Sequence, residues 1–245
     1  SVSKILELAG LNQDEMLYKN DVKVYLGKTS YNEFISLFAN KYGIENIARF
    51  ITSHGKDPSG EEWVYLQDVI YESRPDDELR LCPFDLGSWD MQNRREFRSL
   101  LLLWAWLGIN DTKLANFKFI FKQTETGLKP IARMHDTGIA LGSISQFHKP
   151  RDILNFTQYY KVNEFSTKVV KSNNDYSKVT IYWNDFANRK RNFNTATWDD
   201  LKWMARQIAK IKQDDIRRAL HDSGMPKEVE DIYCLKLMIR RNNIV

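Results

Sequence analysis

Asp111, Lys113 and Asn116 form the pattern D-x-K-x-x-N inside WAWLGINDTKLANFKFIF, residues 104–121. A second carboxylate, Asp136, follows within His135-Asp136-Thr137-Gly138. Carboxylate and amide oxygens are the hard donors that magnesium prefers. A lysine beside them can steady an anion. Phosphoryl transfer uses such parts: cations that neutralise phosphate oxygens, and a carboxylate near the attacking hydroxyl. The five-residue step from Asp111 to Asn116 lets one loop aim both side chains in one direction. Gly138 would permit a tight backbone turn after Asp136. A plainer reading stands beside this one. Asp111 can be a turn residue between two buried elements, with Asn116 bonding its own backbone.

These residues need elements that hold them. Arg94 to Leu107 reads as one buried helix, and Trp104 and Trp106 as core residues within it. Phe117–Lys122 and Ile131–Met134 read as strands joined by the turn Thr124-Glu125-Thr126-Gly127. Upstream, Val22 to Leu26 alternates and stops at Gly27, and the turn residues Tyr18 to Asp21 suggest a hairpin over Met16–Leu26. Tyr31–Lys41 has helical spacing, a short helix is expected near Glu45–Ile51, and Trp63–Val69 is a strand. Pro75 to Trp89, rich in Pro, Gly and Asp, reads as an irregular connection. A strand pair is expected around Phe165–Val170 and Val179–Trp183. Helices follow over about 198–211 and 213–222. The first is capped by Thr197 with Asp200, and Trp198 and Trp203 face the core. Gly224 stops the second, and Pro226 opens a last helix toward Arg241. The order predicts an α+β fold with two unequal lobes, residues 1–72 and 73–245.

Composition narrows the class. The chain has 245 residues, 42% hydrophobic and 13% aromatic, which excludes a disordered chain. The net charge of +4 is a mild excess, and dedicated nucleic-acid binders carry a denser basic stripe. Arg189-Lys190-Arg191 is the one tight basic run. It is either a solvated loop or a contact for a phosphate-bearing partner. Cys82 and Cys234 suggest neither a disulfide framework nor a zinc site, so a reducing, cytoplasmic setting is expected. No apolar run is long enough to span a membrane. Ser1 is compatible with a processed or trimmed end.

The ordered pair D-x-K-x-x-N, strand hairpin, D-x-G resembles the catalytic half of the protein-kinase superfamily. HDTGIALG, residues 135–142, also looks like the H-x-D-F-G-x-x-L-G stretch of phosphatidylinositol kinases, with the histidine one residue nearer the Asp. Further segments are similar to a group of bacterial kinase-like proteins: Lys23 to Gly27, Glu33, Leu66-Gln67-Asp68-Val69 and Arg240-Arg241-Asn242. The resemblance implies a two-lobed kinase-like fold with a reduced N-terminal lobe and a mainly helical C-terminal lobe. It implies ATP and Mg2+ as cofactors and phosphoryl transfer to a hydroxyl of an unidentified acceptor. Asp111 would be the base and Lys113 would steady the transferred group. Asn116 and Asp136 would hold magnesium. Lys23 and Glu33 would pair to position the nucleotide phosphates, and Gln67 and Asp68 would lie beside the adenine.

Departures from the pattern keep other readings open. No Gly-rich loop precedes Lys23, Asn110 stands where arginine is usual, Thr137 replaces an aromatic, and no A-P-E segment follows. A pseudokinase scaffold without turnover is one alternative. A metal-dependent phosphohydrolase using His135 and Asp136 is another, though it needs further ligands among His54, His148 and His221.

Overall fold

The computed structural model describes residues 2–42, 47–84, 89–109, 112–137, 140–142, 165–171, 180–181 and 196–245. The chain is α+β, built on small antiparallel sheets and several helices. It divides into two compact units. Among the described residues the smaller holds Met16–Glu72, and the larger holds the rest. Among the described residues no helix is long and apolar enough to cross a membrane.

In the smaller unit, β1 (Met16–Tyr25), β2 (Ile51–Lys56) and β3 (Glu62–Glu72) form a sheet in the order β1-β3-β2. Helix α2 (Tyr31–Tyr42) and a 3-10 turn (Ile47–Phe50) lie between β1 and β2 in sequence. The expected hairpin over Met16–Leu26 is not formed. β1 is one continuous strand, paired with β3 from Met16↔Glu72 to Tyr25↔Trp63. A long partner strand overrides the local turn preference of Lys19-Asn20-Asp21. That preference survives in the ladder, whose pairs skip Asn20 and Asp68. Asp68 has a left-handed φ of 55°, and its carboxylate accepts the Tyr18 hydroxyl at 2.7 Å.

The larger unit begins with α1 (Val2–Leu8), an addition to the elements expected from the sequence. Its Val2, Ile5 and Leu6 are buried at helical spacing. A second sheet runs β4-β5-β6, with β4 at Glu78–Pro83, β5 at Phe117–Thr124 and β6 at Gly127–Met134. The Thr124–Gly127 turn closes β5 and β6 as expected. Pro130 is tolerated because β6 is an edge of the three-strand order. β4 corrects the expectation of an irregular connection. Its polarity is inverted: Leu79 and Leu81 are exposed, while Glu78 and Arg80 point inward into ion pairs. Inward charges are one way an edge strand avoids pairing with other chains.

The helix expected over Arg94–Leu107 is broken. After α3 (Trp89–Gln92), α4 covers Arg95–Arg98 and α5 covers Leu100–Leu107. Between them Ser99 is fully buried, and its hydroxyl donates to the Glu96 carbonyl at 3.0 Å. Such back-bonding competes with the helix ladder and bends it. α5 is apolar all round and almost wholly buried, as a central core helix should be. Trp104 and Trp106 are both fully buried, as expected. The remaining elements are the short pair β7 (Val170–Lys171) and β8 (Thr180–Ile181), then α6 (Trp198–Lys210), α7 (Gln213–His221) and α8 (Lys227–Asn242). The Thr197–Asp200 capping box is present. Pro226 is the cap before α8 rather than its first residue, and Trp198 is 46% exposed rather than core.

Candidate functional site

The candidate loop leaves the core at the end of α5. Gly108 ends that helix in the left-handed conformation, with φ 64°. Ile109 is buried, and Asn110 and Asp111 lie outside the described residues. Thr112 is buried, whereas Lys113 is exposed. A 3-10 turn, Leu114–Asn116, follows, with the Asn116 N–H donating to the Lys113 carbonyl at 2.9 Å. Asn116 is 1% exposed and opens directly into β5.

A Cβ at Gly108 would lie 3.0 Å from the Phe165 ring, in a backbone conformation that L residues rarely adopt. Gly108→Ala should therefore destabilise the protein by about 1–3 kcal/mol. Urea denaturation of the two proteins measures this. An unchanged midpoint would show that neither the close approach nor the left-handed turn constrains the loop.

The hairpin brings the second motif to the first. The ladder runs from Thr124↔Gly127 to Phe117↔Met134. It continues one step further, because the His135 N–H donates to the Asn116 carbonyl at 2.9 Å. Asn116 and His135-Asp136 thus sit side by side at the open end of β5–β6. Asp136 is exposed and has a left-handed φ of 54°. Aspartate tolerates this region better than most residues, and such outliers gather at functional sites. Thr137 is buried behind it. Gly138 lies outside the described residues.

A charged network missed by the sequence reading braces the same end of β6. Residues 12–14 run beside Met134: Met134 N donates to Asn12 O, and Asp14 N to Met134 O, each at 3.1 Å. The buried Asp14 carboxylate accepts both Arg80 nitrogens at 2.8 Å and Arg133 at 3.4 Å. Arg133 also makes a bidentate pair with Glu78, at 2.6 and 2.8 Å. A His135 ring nitrogen lies within 4.8 Å of an Asp14 oxygen. Two guanidinium groups already hold Asp14, which serves here as a brace. His135 makes its structural bond through its backbone, while its buried Nε2 has no hydrogen-bond partner among the described residues. No local sequence signal marks Asp14, since its partners lie on two distant strands.

Lys23, Glu33, Gln67 and Asp68 all lie in the smaller unit. Lys23 and Glu33 do not pair. The Lys23 ammonium lies 4.6 Å from the Trp63 ring centre and 4.8 Å from that of Tyr25. The Tyr25 hydroxyl raises its pKa above the ordinary lysine value. Glu33 is a helix cap: it accepts the Ser30 N–H and hydroxyl, each at 2.8 Å. These two bonds lower its pKa. Ser30-x-x-Glu33 is a capping box in the sequence itself, so the cap was the more economical reading. Gln67 donates to the Arg49 carbonyl at 2.9 Å, and Asp68 accepts from Tyr18.

The other described histidines, His54 and His221, have other contacts. His54 stacks on Tyr31 at 3.9 Å, His221 closes α7 beside Glu230, and His148 lies outside the described residues. Among the described residues Asp136 joins no cluster of three His, Cys, Asp or Glu side chains. Comparison of the chain with protein-family models, curated proteins and solved structures finds no match.

Proposed function

We propose that the protein is an ATP- and magnesium-dependent phosphotransferase of kinase-like, two-lobed architecture, acting on a hydroxyl of an unidentified acceptor. One observation carries this reading: the β5–β6 pairing sets buried Asn116 against His135-Asp136, with Asp136 held in a left-handed turn. A buried helix, a loop, a two-strand hairpin and a carboxylate follow one another in the order the resemblance requires. Asn116 and Asp136 would hold Mg2+, which neutralises phosphate charge when bound. Exposed Lys113 would steady the transferred group, and Asp111 would orient and deprotonate the acceptor hydroxyl. Lys23, on the exposed side of β1, is the cation the smaller unit would offer to a nucleotide phosphate. Gln67 and Asp68 would lie near the base.

A second reading, a nucleotide-binding scaffold without turnover, is favoured by the engagement of Glu33 as a cap and of Lys23 over two rings. Radiolabelled γ-phosphate transfer separates the two. Wild type should consume MgATP, or label itself or an added acceptor, and Asp111→Asn should lower the rate at least about 100-fold. Nucleotide binding without transfer in any acceptor mixture supports the scaffold. Absence of both binding and transfer removes the proposal. His54 stacks on Tyr31 and His221 lies beside Glu230, so the phosphohydrolase reading draws no support from these two.

A further inference from the structure

The last carbonyls of an α-helix have no partner inside the helix. At the end of α5 each finds one outside it. Trp104 O accepts from Ile109 N at 3.0 Å, and Ala105 O from Gly108 N at 3.2 Å. Leu107 O accepts from Leu141 N at 2.9 Å. Trp106 O takes its bond from Arg240 Nε at 2.7 Å, and Arg240 Nη2 adds a second to Ala105 O. The loop that carries Lys113 and Asn116 therefore starts from a helix end held by a side chain of α8.

Arg240 is 3% exposed. Its charge faces the negative end of the α5 dipole, and Phe165 stacks on the guanidinium at 4.3 Å. Its other arm, Nη1, reaches a second piece of backbone, the carbonyls of Ser166 and Lys168. Lys236 on α8 and Asn243, its C-terminal cap, bond the carbonyls between and before these. Lys236 donates to Phe165 O at 2.9 Å and Asn243 to Thr167 O at 3.0 Å. Residues 236, 240 and 243 thus hold four successive carbonyls, and Arg240 also reaches α5. Burial lowers its pKa to about 10, so the group stays charged at neutral pH. Among the described residues its hydrogen-bond partners are all neutral carbonyls, and burying a cation against such partners is costly. Capping α5 alone would not require it. Joining two backbone segments in fixed relation does suit a rigid, planar fork of five donors.

We infer that Arg240 is a positioning residue, which fixes Gly108 and Ile109, where the loop carrying Lys113 and Asn116 begins, by locking the end of α5 to the backbone at 165–168. The inference rests on the reading of that loop as the phosphoryl-transfer loop. Its structural half can be tested without any activity.

Hydrogen exchange on the full chain, read by mass spectrometry, compares wild type with Arg240→Met, Arg240→Lys and Lys236→Met. Both Arg240 variants should speed exchange about tenfold or more at 108–116 and 165–169, leaving α7 and the β5–β6 ladder unchanged. Arg240→Lys keeps the charge without the fork, and so remains informative if the methionine variant fails to fold. Lys236→Met should loosen only 165–169. With MgATP, Arg240→Lys should lower kcat about 10- to 100-fold while KM for ATP moves less than about twofold. Unchanged exchange at 108–116, or a uniform rise across the larger unit, would overturn the inference. So would a fall in kcat from Lys236→Met as large as that from Arg240→Lys. If wild type shows no transfer while exchange rises only at the two segments, the enzyme reading fails and the positioning role stands.

Discussion

Asp136→Asn should abolish stabilisation by MgATP while leaving the free protein about as stable as before. The substitution keeps the shape of the side chain. It also suits the backbone, because asparagine enters the left-handed region at least as readily as aspartate. Asp136 is exposed, with φ 54°, so the fold should lose less than about 0.5 kcal/mol. What would change is the proposed ligand. A neutral amide would replace a carboxylate on a divalent cation, and magnesium depends on charged oxygen donors. At nucleotide concentrations 100–1,000 times Kd, wild type should gain about 2.7–4.1 kcal/mol from MgATP, and the variant a small part of that. Thermal unfolding with MgATP, with magnesium alone and with ATP plus chelator reads the effect. A full MgATP shift in Asp136→Asn would remove Asp136 from the metal site. No shift in wild type would remove the site itself.

Arg98→Met should cost about 3–5 kcal/mol, because it strands a buried carboxylate. Arg98 Nε and Nη2 hold the two Asp200 oxygens at 2.7 and 2.8 Å, and Nη1 donates to the Gln92 carbonyl at 2.8 Å. The Asp200 side chain is 3% exposed. It also accepts the Thr197 N–H at 2.8 Å, so one carboxylate caps α6 and ties it to α4. Burial alone would raise the Asp200 pKa. The Arg98 bonds and the Thr197 cap overcome it and bring the value down to about 2. The native carboxylate therefore stays ionised at pH values where the unfolded one, near 3.8, takes up a proton. Its contribution is complete above about pH 4 and is lost as pH falls toward 2, amounting to about 2 kcal/mol. Urea titrations from pH 7 to 2 should show a steeper acid loss in wild type than in Arg98→Met. Parallel pH curves for the two proteins would mean that Asp200 draws its low pKa from elsewhere.

Local signals sufficed where the forming interactions are local. The Thr197–Asp200 cap, the Thr124–Gly127 hairpin and the buried tryptophans at 104 and 106 are each set by residues a few positions apart. They could be read directly. β4 was hidden because its buried side carries Glu78 and Arg80, whose partners Arg133 and Asp14 are distant in sequence. β1 was read as a hairpin because its pairing with β3 cannot be seen from Lys19-Asn20-Asp21. At the candidate site, the alignment of Asn116 with His135 follows from the legible hairpin. Lys23 and Glu33 show the opposite case. The resemblance implies a pair, but nearer groups, Ser30 for one and the Tyr25 and Trp63 rings for the other, claim them first.

The sequence LLLLWAWL of α5 carries a risk on the ribosome that the finished fold conceals. Its eight residues contain no charge, and all but one are buried, in part against α6 and α8. Those helices begin at Trp198 and Lys227, far downstream. With synthesis at about 5–20 residues per second, the roughly 90 residues between α5 and α6 leave this apolar octapeptide without that cover for about 5–20 s. Arg94, Arg95 and Arg98 stand just ahead of it, where flanking charges oppose association between nascent chains. The arginine that anchors α6 in the mature protein is thus also placed to guard the core helix before α6 exists.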